Sequence, residues 1–144
     1  MKSKAPLMLM EQMIMLLVFA LAAALCMQAF VKSDSLSKGS EARDSAVLAV
    51  QSAAEALRYS QGDFAQAAEI LETEQYDQDS LQVDYTEDWT PAEDTMRYTL
   101  GAGRADSGQP GLGKATVWVR DEAADTELFR IEVAWQEVSQ DGSE

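Results

Sequence analysis

"KAPLMLMEQMIMLLVFALAAALCMQAF", residues 4–30, is an apolar run interrupted near its start by one carboxylate, Glu11. From Met13 to Phe30 every residue is apolar except Gln28. As a helix at about 1.5 Å per residue this segment spans about 27 Å, close to the thickness of a bilayer's hydrocarbon core. The run predicts one membrane crossing. Lys2 and Lys4 precede it, and the positive-inside tendency then keeps the N-terminus in the cytoplasm and sends the remainder outward. A cleaved secretory signal has a shorter apolar core, about 7–15 residues, closing on a small-x-small site before a break in the pattern. No such break follows this run, and Leu25, not a small residue, precedes Cys26 where a lipoprotein signal would need one.

The chain has 144 residues and a net charge of −14. What lies beyond the apolar run, about 110 residues, suffices for one compact domain and not two. The charge is unevenly divided: through Lys32 three lysines oppose Glu11 for +2, whereas from Ser33 onward 8 bases face 24 acids for −16. An acidic outer portion is repelled by nucleic acid and by anionic surfaces, so direct nucleic-acid binding is not expected. Histidine is absent and Cys26 is the single cysteine. This removes an intramolecular disulfide, the commonest zinc ligand, and any hydrolase built on Ser-His-Asp or Cys-His. With no constellation of base, nucleophile or metal ligands, the sequence reads as a non-enzyme with no cofactor.

The helical pattern continues past the apolar run. From Asp34 to Tyr59 there is no proline, and Leu36, Val47, Val50, Ala53, Ala54 and Leu57 recur on one face, the spacing of an amphipathic helix. Asp34 and Lys38 form an i,i+4 pair in the favourable order, and Gly39 is the weak point. The simplest reading is one helix of about 50 residues, on the order of 75 Å long; two helices hinged near 33–40 are the alternative. A short second helix is expected over 63–72, with Asp63 as N-cap, Gln66 three residues on, and Phe64, Ala67, Ala68 and Leu71 on one side.

The period then changes to two. Leu81, Val83 and Tyr85 alternate with polar residues, as do Met96, Tyr98 and Leu100, then Ala115, Val117 and Val119, and finally Phe129, Ile131, Val133 and Trp135. Four such strands, between about 80 and 137, imply an antiparallel sheet with one wet face. The helical stripe is the natural cover for its dry face, giving an α+β domain. "GAGRADS" and "GQPGLGKA", residues 101–115, read as one long Gly-rich loop between strands. The second piece matches part of a phosphate-binding loop, but Ala115 stands where Ser or Thr belongs and a strand follows instead of a helix. Asp77, Asp79 and Asp84 lack the ordered spacing of a calcium loop and read as solvated surface. Trp89, beside Pro91, reads as loop packing. Trp118 lies opposite Val117 and Val119, either as a contact for a partner or packed at an edge. Met8, Met10, Met13, Met15 and Met27 are flexible apolar fillers, and Ala20 and Ala22 to Ala24 allow another helix close approach.

A basic leader, a hydrophobic helix with glutamate near its start, an amphipathic continuation and a terminal antiparallel sheet together resemble the type IV pilins and pseudopilins. The motif likeness lies in Lys4 to Phe30; the rest is likeness of architecture. The resemblance implies a leader, residues 1–6, removed by a membrane peptidase between Pro6 and Leu7, which places Glu11 fifth in the mature, methylated chain. Cleavage after Ala5 would place it sixth. It further implies a transmembrane helix over 7–32 and an extracytoplasmic pilin-like domain over 33–144, helical at 34–59. Glu11 becomes the subunit-assembly residue, pairing with the α-amine of a neighbouring subunit. The expected partners are other pilin-like subunits, the leader peptidase, the pilus assembly machinery and the lipid bilayer. Pro6 and Leu7 in place of the family's usual glycine and phenylalanine, the missing terminal disulfide and the proline-free helix point to a minor pilin or pseudopilin. A single-pass membrane-anchored extracellular binding or signalling module is the alternative function.

Overall fold

The computed structural model describes residues 4–92 and 94–137. Lys2 and the first half of the expected leader lie outside the described residues. The elements run α1 (Ala5–Tyr59), α2 (Phe64–Ile70), β1 (Ser80–Tyr85), β2 (Tyr98–Ala105), β3 (Leu112–Asp121) and β4 (Thr126–Gln136). The chain divides into two units, Met1–Glu41 and Ala42–Glu144.

In the first unit the backbone is helical from Ala5 onward, including positions 33–40, where a hinge was the alternative reading. The expected Asp34–Lys38 pair is present at 3.3 Å. All described residues of this unit are exposed.

In the second unit, the last part of α1 packs on a four-stranded antiparallel meander of order β1-β2-β3-β4. Its buried residues are Ala46, Val50, Ala53, Ala54, Ala56 and Leu57, a spacing that keeps them on one side of the helix. Against them lie Leu81 and Val83 of β1, Tyr98, Leu100 and Ala102 of β2, Ala115, Val117 and Val119 of β3, and Val133 and Trp135 of β4. Each fully buried Leu57, Phe64 or Leu100 contributes on the order of 1.5–3 kcal/mol by leaving water. The α+β architecture expected from the change of period is therefore observed.

Three boundaries differ from the sequence reading. Leu36 is 64 % exposed and takes no part in the stripe, whose packing begins at Ala42 and Ala46. Met96 is 57 % exposed and precedes β2, because the strand starts only where pairing with β3 begins, at Tyr98↔Asp121. The long Gly-rich loop is not a loop. Gly101–Ala105 belong to β2 and Leu112–Ala115 to β3, joined by a turn over 106–111 in which the Asp106 carboxylate accepts from the Gly108 N–H at 2.9 Å. Ladder pairing with two flanking strands outweighs the weak strand propensity of glycine.

Gly101 sits in the sheet because the Trp118 side chain crosses it: a Cβ there would lie 2.3 Å from the indole. Gly62 closes α1. At φ +83° its N–H donates to Leu57 O at 2.9 Å, the left-handed cap that favours glycine. A Cβ at Gly62 would also meet the Trp135 ring at 2.3 Å. α2 is capped as expected, the Asp63 carboxylate accepting from Ala65 N–H at 3.0 Å and Gln66 N–H at 3.2 Å.

The two sheet edges differ. The outer edge of β1 is covered: Asp77 N–H donates to Ser80 O, Gln82 N–H to Gln75 O, Ala92 N–H to Asp84 O, and the Thr73 hydroxyl to Gln82 O. No such bond covers β4 among the described residues. Glu137 N–H donates to Gly111 O at 3.0 Å, which sets the phase of the ladder so that Arg130, Glu132, Ala134 and Gln136 turn their N–H and C=O groups away from β3.

Gly62→Ala should lower the unfolding free energy of the second unit by about 1–3 kcal/mol through positive φ and collision with Trp135. Gly103→Ala, where a Cβ meets nothing within 4 Å, should leave it unchanged or raise it. Chemical denaturation of the detergent-solubilised chain followed by tryptophan fluorescence measures both.

Candidate functional site

The first unit concentrates the features that point to function. Its helix carries large apolar side chains around its whole circumference: Leu7, Met8, Leu9, Met10, Met13, Ile14, Leu16, Leu17, Phe19 and Phe30 are each more than half exposed. A helix apolar on every side has no stable place in water. α1 is long and apolar enough to cross a bilayer and fits a single-pass membrane anchor.

Pro6 and Leu7 lie in the first turn of α1. Proline is tolerated there because a first-turn N–H has no acceptor within the helix. Across the Pro6–Leu7 peptide, Met8 N–H donates to Lys4 O at 3.2 Å. Glu11 is exposed and makes no ion pair among the described residues. It stands seven residues beyond Lys4, about 10 Å along the axis, too far for a side-chain contact within one helix. An uncompensated carboxylate inside a bilayer costs a few kcal/mol.

The second unit holds the other sequence candidates, and none forms a reactive cluster. No group of three or more acids or cysteines with metal-binding geometry occurs among the described residues. Asp77, Asp79 and Asp84 do different work. Asp77 accepts from Gln78 N–H at 2.7 Å, Asp79 from Arg104 at 2.7 Å, and Asp84 from the Gln75, Gln82 and Thr99 side chains at 2.9–3.1 Å. Lys114, in the phosphate-loop lookalike, lies within β3 and pairs with Glu132 at 2.9 Å. Trp89 stacks on Tyr98 with ring centroids 4.3 Å apart, the loop packing expected of it. Trp118 is half-buried over Gly101, so part of its ring remains open to solvent.

Arg104 was not legible as an organiser. Its guanidinium donates to Asp79 at 2.7 Å, to Glu137 at 3.0 Å and to Gly62 O at 3.1 Å, and lies over the Phe64 and Trp135 rings. One fork thus ties the approach to β1, the end of β4 and the α1–α2 turn, geometry that suits arginine and not lysine. A strand arginine between Gly103 and Ala105 gives no sequence signal of this. On β4, the hydrogen bond from Arg130 holds the Glu127 carboxyl below its usual range, while burial pushes the Tyr85 phenol up.

A scan against protein-family models, a search of curated proteins and a search of solved structures each found no match to this chain.

Arg104→Ala should cost the second unit about 1–2 kcal/mol, since three charge-assisted hydrogen bonds at a half-exposed site are lost together. Arg120→Ala breaks only the exposed pair with Asp125 and should change stability by less than about 0.5 kcal/mol. Paired denaturation curves test the difference.

Proposed function

We propose that the chain is a structural subunit, a minor pilin or pseudopilin, of a type IV pilus or related secretion or uptake filament. The observation that carries this reading is the order of parts along α1: an apolar segment with a single carboxylate near its start, then a helical segment whose small-residue face forms the core of a four-stranded antiparallel sheet. In this reading residues 7–32 cross the cell membrane, the N-terminus is cytoplasmic, and the domain beyond is extracytoplasmic.

Glu11 supplies the register. A carboxylate with no ion pair among the described residues is satisfied, in this reading, by the free α-amine of a neighbouring subunit's mature N-terminus, and that attraction is far stronger in an apolar surround than in water. Subunits misplaced along the axis would leave both charges unpaired, so the pair selects one stagger. The leader peptidase would generate the amine by cutting between Pro6 and Leu7. The chain performs no chemistry of its own in this role.

Mass spectrometry of the chain isolated from its native membrane should show an N-terminus at Leu7 carrying a methyl group. Glu11→Ala should insert into the membrane as the unaltered chain does, yet fall at least tenfold in co-purification with assembled filaments. An intact Met1 together with unchanged behaviour of Glu11→Ala would leave the chain a single-pass anchored binding or signalling module.

A further inference from the structure

Gln28, Lys32 and Ser35 follow one another at spacings of four and three and share one face of α1, where with Met27 and Val31 they line a shallow groove. Lys32 makes no ion pair among the described residues. No carboxylate stands three or four residues from it on either side, and Asp34 is engaged by Lys38 at 3.3 Å. The apolar run therefore ends on a cation without a counter-ion, flanked by an amide and a hydroxyl, with methionine and valine beside it.

The spacing of the lysines defines where that cation sits. Lys4 and Lys32 are 28 residues apart, about 42 Å along a helix, and a bilayer measures about 40–45 Å across with its headgroups. Before any cleavage of residues 1–6, a membrane that covers the run thus meets one lysine at each phosphate level. On this scale Gln28 falls at the edge of the hydrocarbon, about 6 Å below Lys32. Glu11, about 10 Å beyond Lys4, falls a few ångström inside it.

We infer that Gln28, Lys32 and Ser35 hold the phosphate of an anionic glycerophospholipid in the outward-facing leaflet, with an acyl chain along Met27 and Val31, and that this contact fixes the depth at which Glu11 is held. The inference rests on the membrane-spanning part of the proposed function and not on the filament role. The occupant is chosen by charge. A zwitterionic headgroup brings its own ammonium to compete for the phosphate, whereas an anionic one leaves its charge for Lys32. The domain beyond carries a net −16 from Ser33 onward and repels an anionic surface, so the attraction is confined to this groove.

The full chain, reconstituted in nanodiscs of equal phosphatidylcholine and phosphatidylglycerol and then released for native mass spectrometry, should retain phosphatidylglycerol about fivefold over phosphatidylcholine. Lys32→Gln should abolish the preference, Lys32→Arg should keep it, and Lys38→Gln should leave it unchanged. Equal retention of both lipids by the unaltered chain overturns the inference, as does an undiminished preference in Lys32→Gln. So does Lys32-dependent pairing of two chains without lipid preference, which would assign the groove to a second copy. Resistance to carbonate extraction, measured alongside, reports membrane insertion separately. If Lys32→Gln does not insert, the preference of the unaltered chain decides alone.

Discussion

The folded unit depends on the packing of one helix face, from Ala46 to Leu57, against the dry side of a four-stranded sheet. Four of the six buried residues on that face are alanines, and Val50 and Leu57 supply the larger side chains. A four-stranded meander without such a cover exposes Leu81, Val83, Leu100, Val117 and Val119 to water and has little independent stability. Past Ala42, burial on this face replaces propensity as the source of helical stability, whereas Gly39 and the serines before it are exposed and lie outside it.

Much of this was legible because two periodicities were clean. The stripe at Val50, Ala53, Ala54 and Leu57 and the alternation at Ala115, Val117 and Val119 each name a buried face directly, and both faces are found buried. Legibility failed where composition and context pulled apart. Gly101 and Gly103 read as loop because glycine is a poor strand former, but a strand between two others is held by its ladder, and at Gly101 a tryptophan takes the place of the missing side chain. Leu36 and Met96 matched the period yet lie beyond the ends of the packed surfaces. Arg104 escaped notice because its role comes from three segments that meet only in space.

The candidate site was legible in a different sense. Glu11, Pro6 and Leu7 stand out from the apolar run by chemistry alone, and folding of the single chain adds only their position in the first turns of α1 and the absence of an ion pair to the acid among the described residues. In the proposed filament role the group that would complete such a site belongs to another molecule, outside what one sequence contains. Among the described residues the sheet cations Arg97, Arg104, Lys114, Arg120 and Arg130 all form ion pairs within the chain, whereas Glu11 and Lys32, like Arg43 and Arg58 further along α1, form none.

The contrast between the covered border of β1 and the bare border of β4 gives the sheet a polarity of growth. Among the described residues, Arg130, Glu132, Ala134 and Gln136 leave main-chain groups free to pair with an extended segment, whereas Ser80, Gln82 and Asp84 on the opposite flank are already engaged. Two copies of this chain therefore cannot stack sheet to sheet in an endless ribbon, because every such junction would need a receptive border on both sides. A border open on one side only disfavours the runaway lateral pairing to which exposed sheet edges are prone.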